Sequence, residues 1–127
     1  MKCSPCEVNN DFLSDIDELI VDLVYVLNYL EIDTLKSCEG HLDGIRHPFP
    51  WVAIKEKDIT RIERLIDNFN RKQKVRWRVK IDLNSKEWLL RPEISASGKD
   101  SLHDLQKSSK ELARFLAKKI MKKEHLA

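Results

Sequence analysis

Along residues 11–30 the apolar side chains Leu13, Ile16, Leu19, Ile20, Leu23, Val24, Leu27 and Leu30 recur three and four apart, while Asp15, Asp17, Glu18 and Asp22 take the opposite face. That spacing predicts an amphipathic helix from Asp11 to Leu30, with Asp11 or Ser14 at its cap and its carboxylates near the positive end of the dipole. Short strands are expected at Ile32–Cys38 and Trp51–Lys55. The loop between them carries Gly40, Gly44, Pro48 and Pro50. Asp58 then caps a second helix whose stripe is Ile59, Ile62, Leu65, Ile66 and Phe69. Next the period changes. Val75, Trp77, Val79, Ile81 and Leu83 alternate with Arg76, Arg78, Lys80 and Asp82, the two-residue repeat of a half-buried strand. Asn84-Ser85 reads as a turn into a last strand, Lys86–Ile94, and Pro92 marks its outer end because proline cannot donate to a ladder. A closing helix is expected from Asp100 to about Lys123, with Leu102, Leu105, Leu112, Phe115, Leu116 and Ile120 inward.

The order α-β-β-α-β-β-α implies one α+β domain over residues 1–127. It comprises an N-terminal arm at 1–10, a helix–hairpin unit used twice over 11–94, and a closing helix at 100–123. An antiparallel or mixed four-stranded sheet with helices mainly on one face is the architecture that buries these stripes. A chain of 127 residues is long enough to bury about two-thirds of its unfolded surface.

Charge sharpens this picture. The net charge of +2 conceals a first third, residues 1–45, that sums to −8 and a remainder that sums to +10. A dipolar surface of that kind suits self-association, as a homodimer or an accessory protein, or an anionic partner. The run from Arg71 to Lys80 holds six basic residues and no acidic one. On a strand, Lys74, Arg76, Arg78 and Lys80 share one face at intervals of about 7 Å, near the phosphate repeat of an extended single strand, and Arg91 on the neighbouring strand extends the row. These five are the candidate contacts to a nucleic acid or nucleotide; a solvated sheet edge is the alternative. Trp77 falls on the opposite face, toward the core. No apolar run is long enough to span a membrane and no secretory leader is present, so a cytoplasmic location with reduced thiols is expected. Three cysteines, an odd number, also disfavour a disulfide framework.

Candidate chemistry gathers at Ser37-Cys38-Glu39-Gly40-His41. Cys38 and His41 can chelate one ion across a turn that Gly40 permits. With Cys3-Ser-Pro-Cys6 the chain offers Cys3, Cys6, Cys38 and His41, the ligand set of a structural zinc site. A second reading keeps Cys38 and His41 and recruits His47 or Asp43, leaving an open catalytic position. A third makes Cys38 a nucleophile with His41 or His47 as base, so that Cys38, Glu39 and His41 are the catalytic residues of an enzyme acting on a nucleotide-like substrate. Glu39 is then an acid/base or orients His41; otherwise it caps the turn or pairs with Arg46.

The segment Leu30-Glu-Ile-Asp-Thr34-Leu-Lys-Ser37-Cys38-Glu39-Gly40-His41, followed by Pro-Phe-Pro-Trp51-Val-Ala-Ile54, resembles a group of small prokaryotic and phage proteins that share a helix, a T-x-x-S-C-E-G-H phrase, a short loop and an aromatic-led strand. The likeness covers about residues 12–55 and implies a functional loop at 37–41. More distantly, the helix–strand–S-x-C-x-G pattern is similar to the wybutosine-synthesising tRNA methyltransferase family, which has Ser-Gly-Arg where this chain has Glu-Gly-His. Fold and motif together favour a small nucleic-acid- or nucleotide-binding module with a zinc-bearing Cys/His loop.

Overall fold

A computed structural model describes residues 8–9, 17–94 and 101–126. The strands are β1 (Val8–Asn9), β2 (Thr34–Cys38), β3 (Trp51–Ile54), β4 (Trp77–Ile81) and β5 (Trp88–Pro92); the helices are α1 (Val21–Tyr29), α2 (Ile59–Lys72) and α3 (Leu102–Leu126). The four longer strands form an antiparallel sheet, and the two-residue β1 pairs with β2 at its margin, giving the order β1-β2-β3-β5-β4. The α+β order expected from the sequence is therefore the order found.

Register sorts the side chains onto two faces. Val52 opposes Leu90, and Leu90 opposes Val79. These point toward the helices, where they join Ile20, Leu23, Val24, Leu27, Ile62, Ile66, Phe69, Trp77, Leu112 and Leu116 in the main core. Across the other face run two rows. Lys36, Ala53, Leu89 and Lys80 form one, and Arg91 beside Arg78 belongs to the next. A smaller cluster of Cys38, Phe49, Trp51, Ala53, Leu89 and Leu105 seals one end of the sheet.

Three local expectations are corrected. Helix α1 starts at Val21, and residues 18–20 form a turn. Their backbone is engaged elsewhere: the Leu19 N–H donates to Glu39 Oε1, and the Leu19 carbonyl accepts from the Ser109 hydroxyl. Asp58 precedes α2 but does not cap it, since its carboxylate accepts the Asp33 N–H at 3.2 Å and so ties the α2 start to β2. Finally, the alternation over 75–83 loses its burial at the far end, where Ile81 is 43% and Leu83 76% exposed. There β4, an outer strand, runs past its cover into a turn that Asp82 organises by accepting from the Ser85 N–H and hydroxyl.

The open edge of β4 is partly closed by a side chain. Asn70 Nδ2 donates to the Trp77 carbonyl, and Asn70 Oδ1 accepts the Trp77 N–H, both at 2.8 Å. The amide thus imitates a neighbouring strand. Replacing it (Asn70→Ala) leaves both backbone groups of a buried residue unpaired, at a cost of about 1–3 kcal/mol. Urea unfolding is expected to show that loss with an unchanged m-value.

Candidate metal centre and basic sheet face

The last residue of β2 and the turn after it build the site. Cys38 lies fully buried at the strand end. Gly40 follows with φ +92°, a left-handed conformation that L side chains rarely adopt. A Cβ there would lie 2.8 Å from the Phe49 carbonyl carbon and 2.6 Å from Leu102 Cδ1, so the position needs glycine for space as well as conformation. The turn brings the Gly40 N–H to 3.3 Å from Cys38 Sγ, and the His41 N–H to the His47 carbonyl at 3.0 Å.

Around this turn Asp17, Cys38 and His41 bring one potential ligand atom each to within 4.8 Å of one another. Asp17 is 1% exposed, and its Oδ2 accepts the Glu39 N–H at 3.2 Å. His41 Nε2 is buried with no hydrogen-bond partner among the described residues. An orphaned buried ring nitrogen costs about 1–3 kcal/mol, and the same ring belongs to a cluster with a carboxylate and a sulfur. Oxygen, sulfur and imidazole nitrogen form a mixed set suited to zinc. A tetrahedral ion with bonds of about 2.0–2.3 Å holds its ligand atoms about 3.5 Å apart, so side-chain shifts of about an ångström close the three onto one ion.

Of the residues singled out in the sequence, Cys38 and His41 come together. Cys3 and Cys6 lie outside the described residues. His47 and Asp43 are employed elsewhere. His47 Nε2 lies 3.1 Å from Asp82 Oδ1 and its ring stacks on Phe49 at 4.8 Å. Asp43 accepts from the Ile45 and Arg46 N–H groups and from Arg46 Nε, bonds that hold its carboxyl well below the ordinary range. Glu39 serves as a clamp: its carboxylate takes the Leu19 N–H at 3.3 Å and its carbonyl takes Gln106 Nε2 at 3.0 Å. Asp17 was missed because in sequence it lies on the wet side of a helical pattern; it precedes α1 and is buried, accepting the Glu39 N–H.

One expectation is overturned. Cys38 is disulfide-bonded, its partner lying outside the described residues, whereas three reduced thiols were anticipated. An odd cysteine count excludes complete pairing, not one bridge. In this state Cys38 is neither a nucleophile nor a thiolate ligand.

Arg78 and Lys80 are exposed on β4, but Lys74 and Arg76, expected on the same strand face, lie exposed in the irregular segment between α2 and β4, and Arg91 is partly buried with its guanidinium 3.8 Å from the Phe49 ring centroid. Burial lowers the Arg91 pKa, opposed by the nearby Asp82 carboxylate. Arg78 pairs with Glu93. Lys36, not anticipated in the row, reaches Glu87 at 3.4 Å. No family model, curated protein or solved structure matches this chain.

The two loop glycines provide a test of the turn. Gly44 also has a positive φ (+77°), but a Cβ there meets nothing within 4 Å. Gly44→Ala is expected to cost about 1 kcal/mol from backbone strain alone, and Gly40→Ala at least about 2 kcal/mol more, because Phe49 backbone must move. Thermal unfolding of the two variants against the parent checks the difference.

Proposed function

We propose that this protein is a zinc-binding module in which Asp17, Cys38 and His41, with Cys38 reduced, hold the ion at the end of the sheet, and one cysteine of the Cys3-Ser-Pro-Cys6 pair supplies the fourth ligand. The observation that carries the reading is the clustering of ligand atoms of Asp17, Cys38 and His41 within 4.8 Å, together with a buried His41 Nε2 that has no hydrogen-bond partner among the described residues. Structural zinc binding contributes about 10–16 kcal/mol in small domains, far more than the cost of keeping one nitrogen unpaired. A reducing compartment such as the cytoplasm favours the thiolate the ion needs. Reduced protein is expected to bind one Co2+ per chain with tetrahedral visible bands and a sulfur-to-cobalt charge-transfer band. His41→Ala is the informative variant, because its buried Nε2 makes no hydrogen bond among the described residues. It should keep the fold and lose at least about 100-fold in metal affinity. Absence of a cobalt spectrum in the reduced parent, or unchanged affinity in His41→Ala, refutes the zinc site.

A second reading rests on a separate observation. Lys74 and Arg76 on the approach to β4, and Lys80 on it, are exposed and, among the described residues, make no ion pair, while Arg78 and Arg91 lie beside them. Unpaired cations gathered along an outer strand and its approach are suited to the phosphates of a single-stranded nucleic acid, with no base readout implied. Fluorescence anisotropy with a labelled single strand should give affinity that falls with salt, at a log–log slope of about −2 to −3 for three or four phosphates. The Arg76→Ala/Lys80→Ala double variant should weaken binding and flatten that slope by about 1.4. Salt-independent binding, or a slope unchanged in the double variant, counts against it.

A further inference from the structure

We infer that the outer face of α1 and α3 is a homodimer interface, in which α1 of each copy packs on α3 of the other about a two-fold axis parallel to the helices. Asp22, Tyr25 and Tyr29 recur three and four apart on α1 and are all exposed, while Leu23, Val24 and Leu27 enter the core from the opposite side. Helix α3 repeats the arrangement. Lys110, Arg114, Ala117 and Met121 form its outer row, and Leu105, Leu112 and Leu116 its inner one. Between the outer rows lies a groove of about 320 Å³ lined by Tyr25, Val26, Tyr29, Ala117, Ile120 and Met121, without a charged residue. Tyr25, Tyr29 and Met121 are each more than half exposed. Aromatic and thioether surface gathered in this way is the kind that protein partners cover.

Charge selects the occupant. The two helices run in the same direction: the Leu19 carbonyl just before α1 accepts from the Ser109 hydroxyl, and the groove sets Tyr25 and Tyr29 beside Ala117 and Met121. Both outer rows are therefore charged at the same end and apolar at the other, with Asp22 level with the turn between Lys110 and Arg114. A two-fold axis along the helices lays α1 of one copy over α3 of the other without reversing either. Asp22 then meets Lys110 and Arg114, and the tyrosines meet Ala117 and Met121. A two-fold axis across the helices instead sets α1 on α1 and α3 on α3 in reverse, which brings charge onto apolar surface. Among the described residues Asp22, Lys110 and Arg114 make no ion pair within their own chain. One face thus carries both halves of a complementary pair, and a second copy of this chain is the partner that matches both at once. The face is two helices wide and as long as the nine-residue α1. That is smaller than the roughly 800 Å² per partner of a standard interface, so a dissociation constant of about 10–100 µM is expected.

Sedimentation velocity of the full chain over about 5–500 µM reads the association, with dithiothreitol present so that no intermolecular disulfide contributes. The dimer fraction should rise across that range and fall at high salt. Tyr25→Glu and Met121→Glu, both at exposed positions, should each weaken association at least about tenfold while circular dichroism and the unfolding midpoint stay close to the parent's. Asp22→Lys and Arg114→Asp should each weaken it about tenfold, because two-fold symmetry counts the altered contact twice. The combined Asp22→Lys/Arg114→Asp variant should associate several-fold more tightly than either single variant, a rescue that damage to the fold would not produce. A chain that stays monomeric at the highest concentration overturns the interface. So does a dimer that Tyr25→Glu and Met121→Glu leave intact, since it forms elsewhere. A combined variant no tighter than the single ones overturns the pairing of α1 with α3.

Discussion

The arrangement at this end of the molecule depends on Glu39 bonding in three directions at once. Its N–H is held by Asp17, its carboxylate holds the Leu19 N–H, and its carbonyl holds Gln106. Three elements distant in sequence, the approach to α1, the exit of β2 and the first turns of α3, are thereby fixed to one residue. Each contact also satisfies a polar group in a crowded region where leaving it unpaired costs about 1–3 kcal/mol. Ser109 adds a fourth tie by donating to the Leu19 carbonyl. The clamp explains why α1 is short: the groups that would begin it four residues earlier are committed to β2 and α3. It also delivers Asp17 to the sulfur of Cys38. The cluster of Asp17, Cys38 and His41 is thus a consequence of how the helix layer is joined to the sheet end.

The sheet relates that centre to the basic row. Cys38 opposes Trp51, and Arg91 opposes Arg78. Val52 opposes Leu90, which sets Trp51 next to Arg91 in the same sense across β3 and β5. With strands about 4.8 Å apart, Cys38 and Arg91 stand about 10 Å from each other on one face. Trp51 and Phe49 fill the space between them, and Phe49 carries the Arg91 guanidinium on its ring. The loop that closes over the sulfur is therefore the loop that seats the innermost arginine of the row, so a change in how that loop packs is felt at both places.

Much of this was legible in the sequence, and the failures share a cause. Trp77, Leu112 and Phe69 could be assigned to the core from periodicity, because the pattern reports which face is buried whatever lies opposite. Cys38, Gly40 and His41 stood out because metal-ligand and turn chemistry act over three or four residues. Asp17 did not. Its burial is decided by a bond to Glu39, and nothing in a local window distinguishes a carboxylate on the wet side of a helix from one turned inward by a residue 22 positions away. Asp58 went wrong in the same way: as an N-cap residue it looked local, yet its carboxylate serves Asp33. Ile81 and Leu83 kept the strand period but not the burial, since period cannot tell where a sheet edge runs out of cover.

The charge asymmetry between the two parts of the chain takes on a different meaning in the folded molecule. Several of the acidic residues of the first part are consumed internally: Asp17 is buried against Glu39, Asp33 faces Lys55 and Lys57, and Asp43 closes on Arg46. The pairs Asp33–Lys57 and Lys36–Glu87 join one part to the other, and the Lys57 ammonium holds the Asp33 carboxyl below its ordinary pKa. Exposed pairs of this kind contribute little to stability. Their effect is to remove negative charge from the field that a partner meets. Among the positive charges the fold leaves without an ion pair in the described residues are Lys74 and Arg76 on the approach to β4 and Lys80 on it. An edge strand with that charge resists pairing with a second copy of itself, because like charges would stand opposite one another, while it attracts an extended polyanion. The same feature that protects the open sheet edge from self-association thus selects the sign of what approaches it.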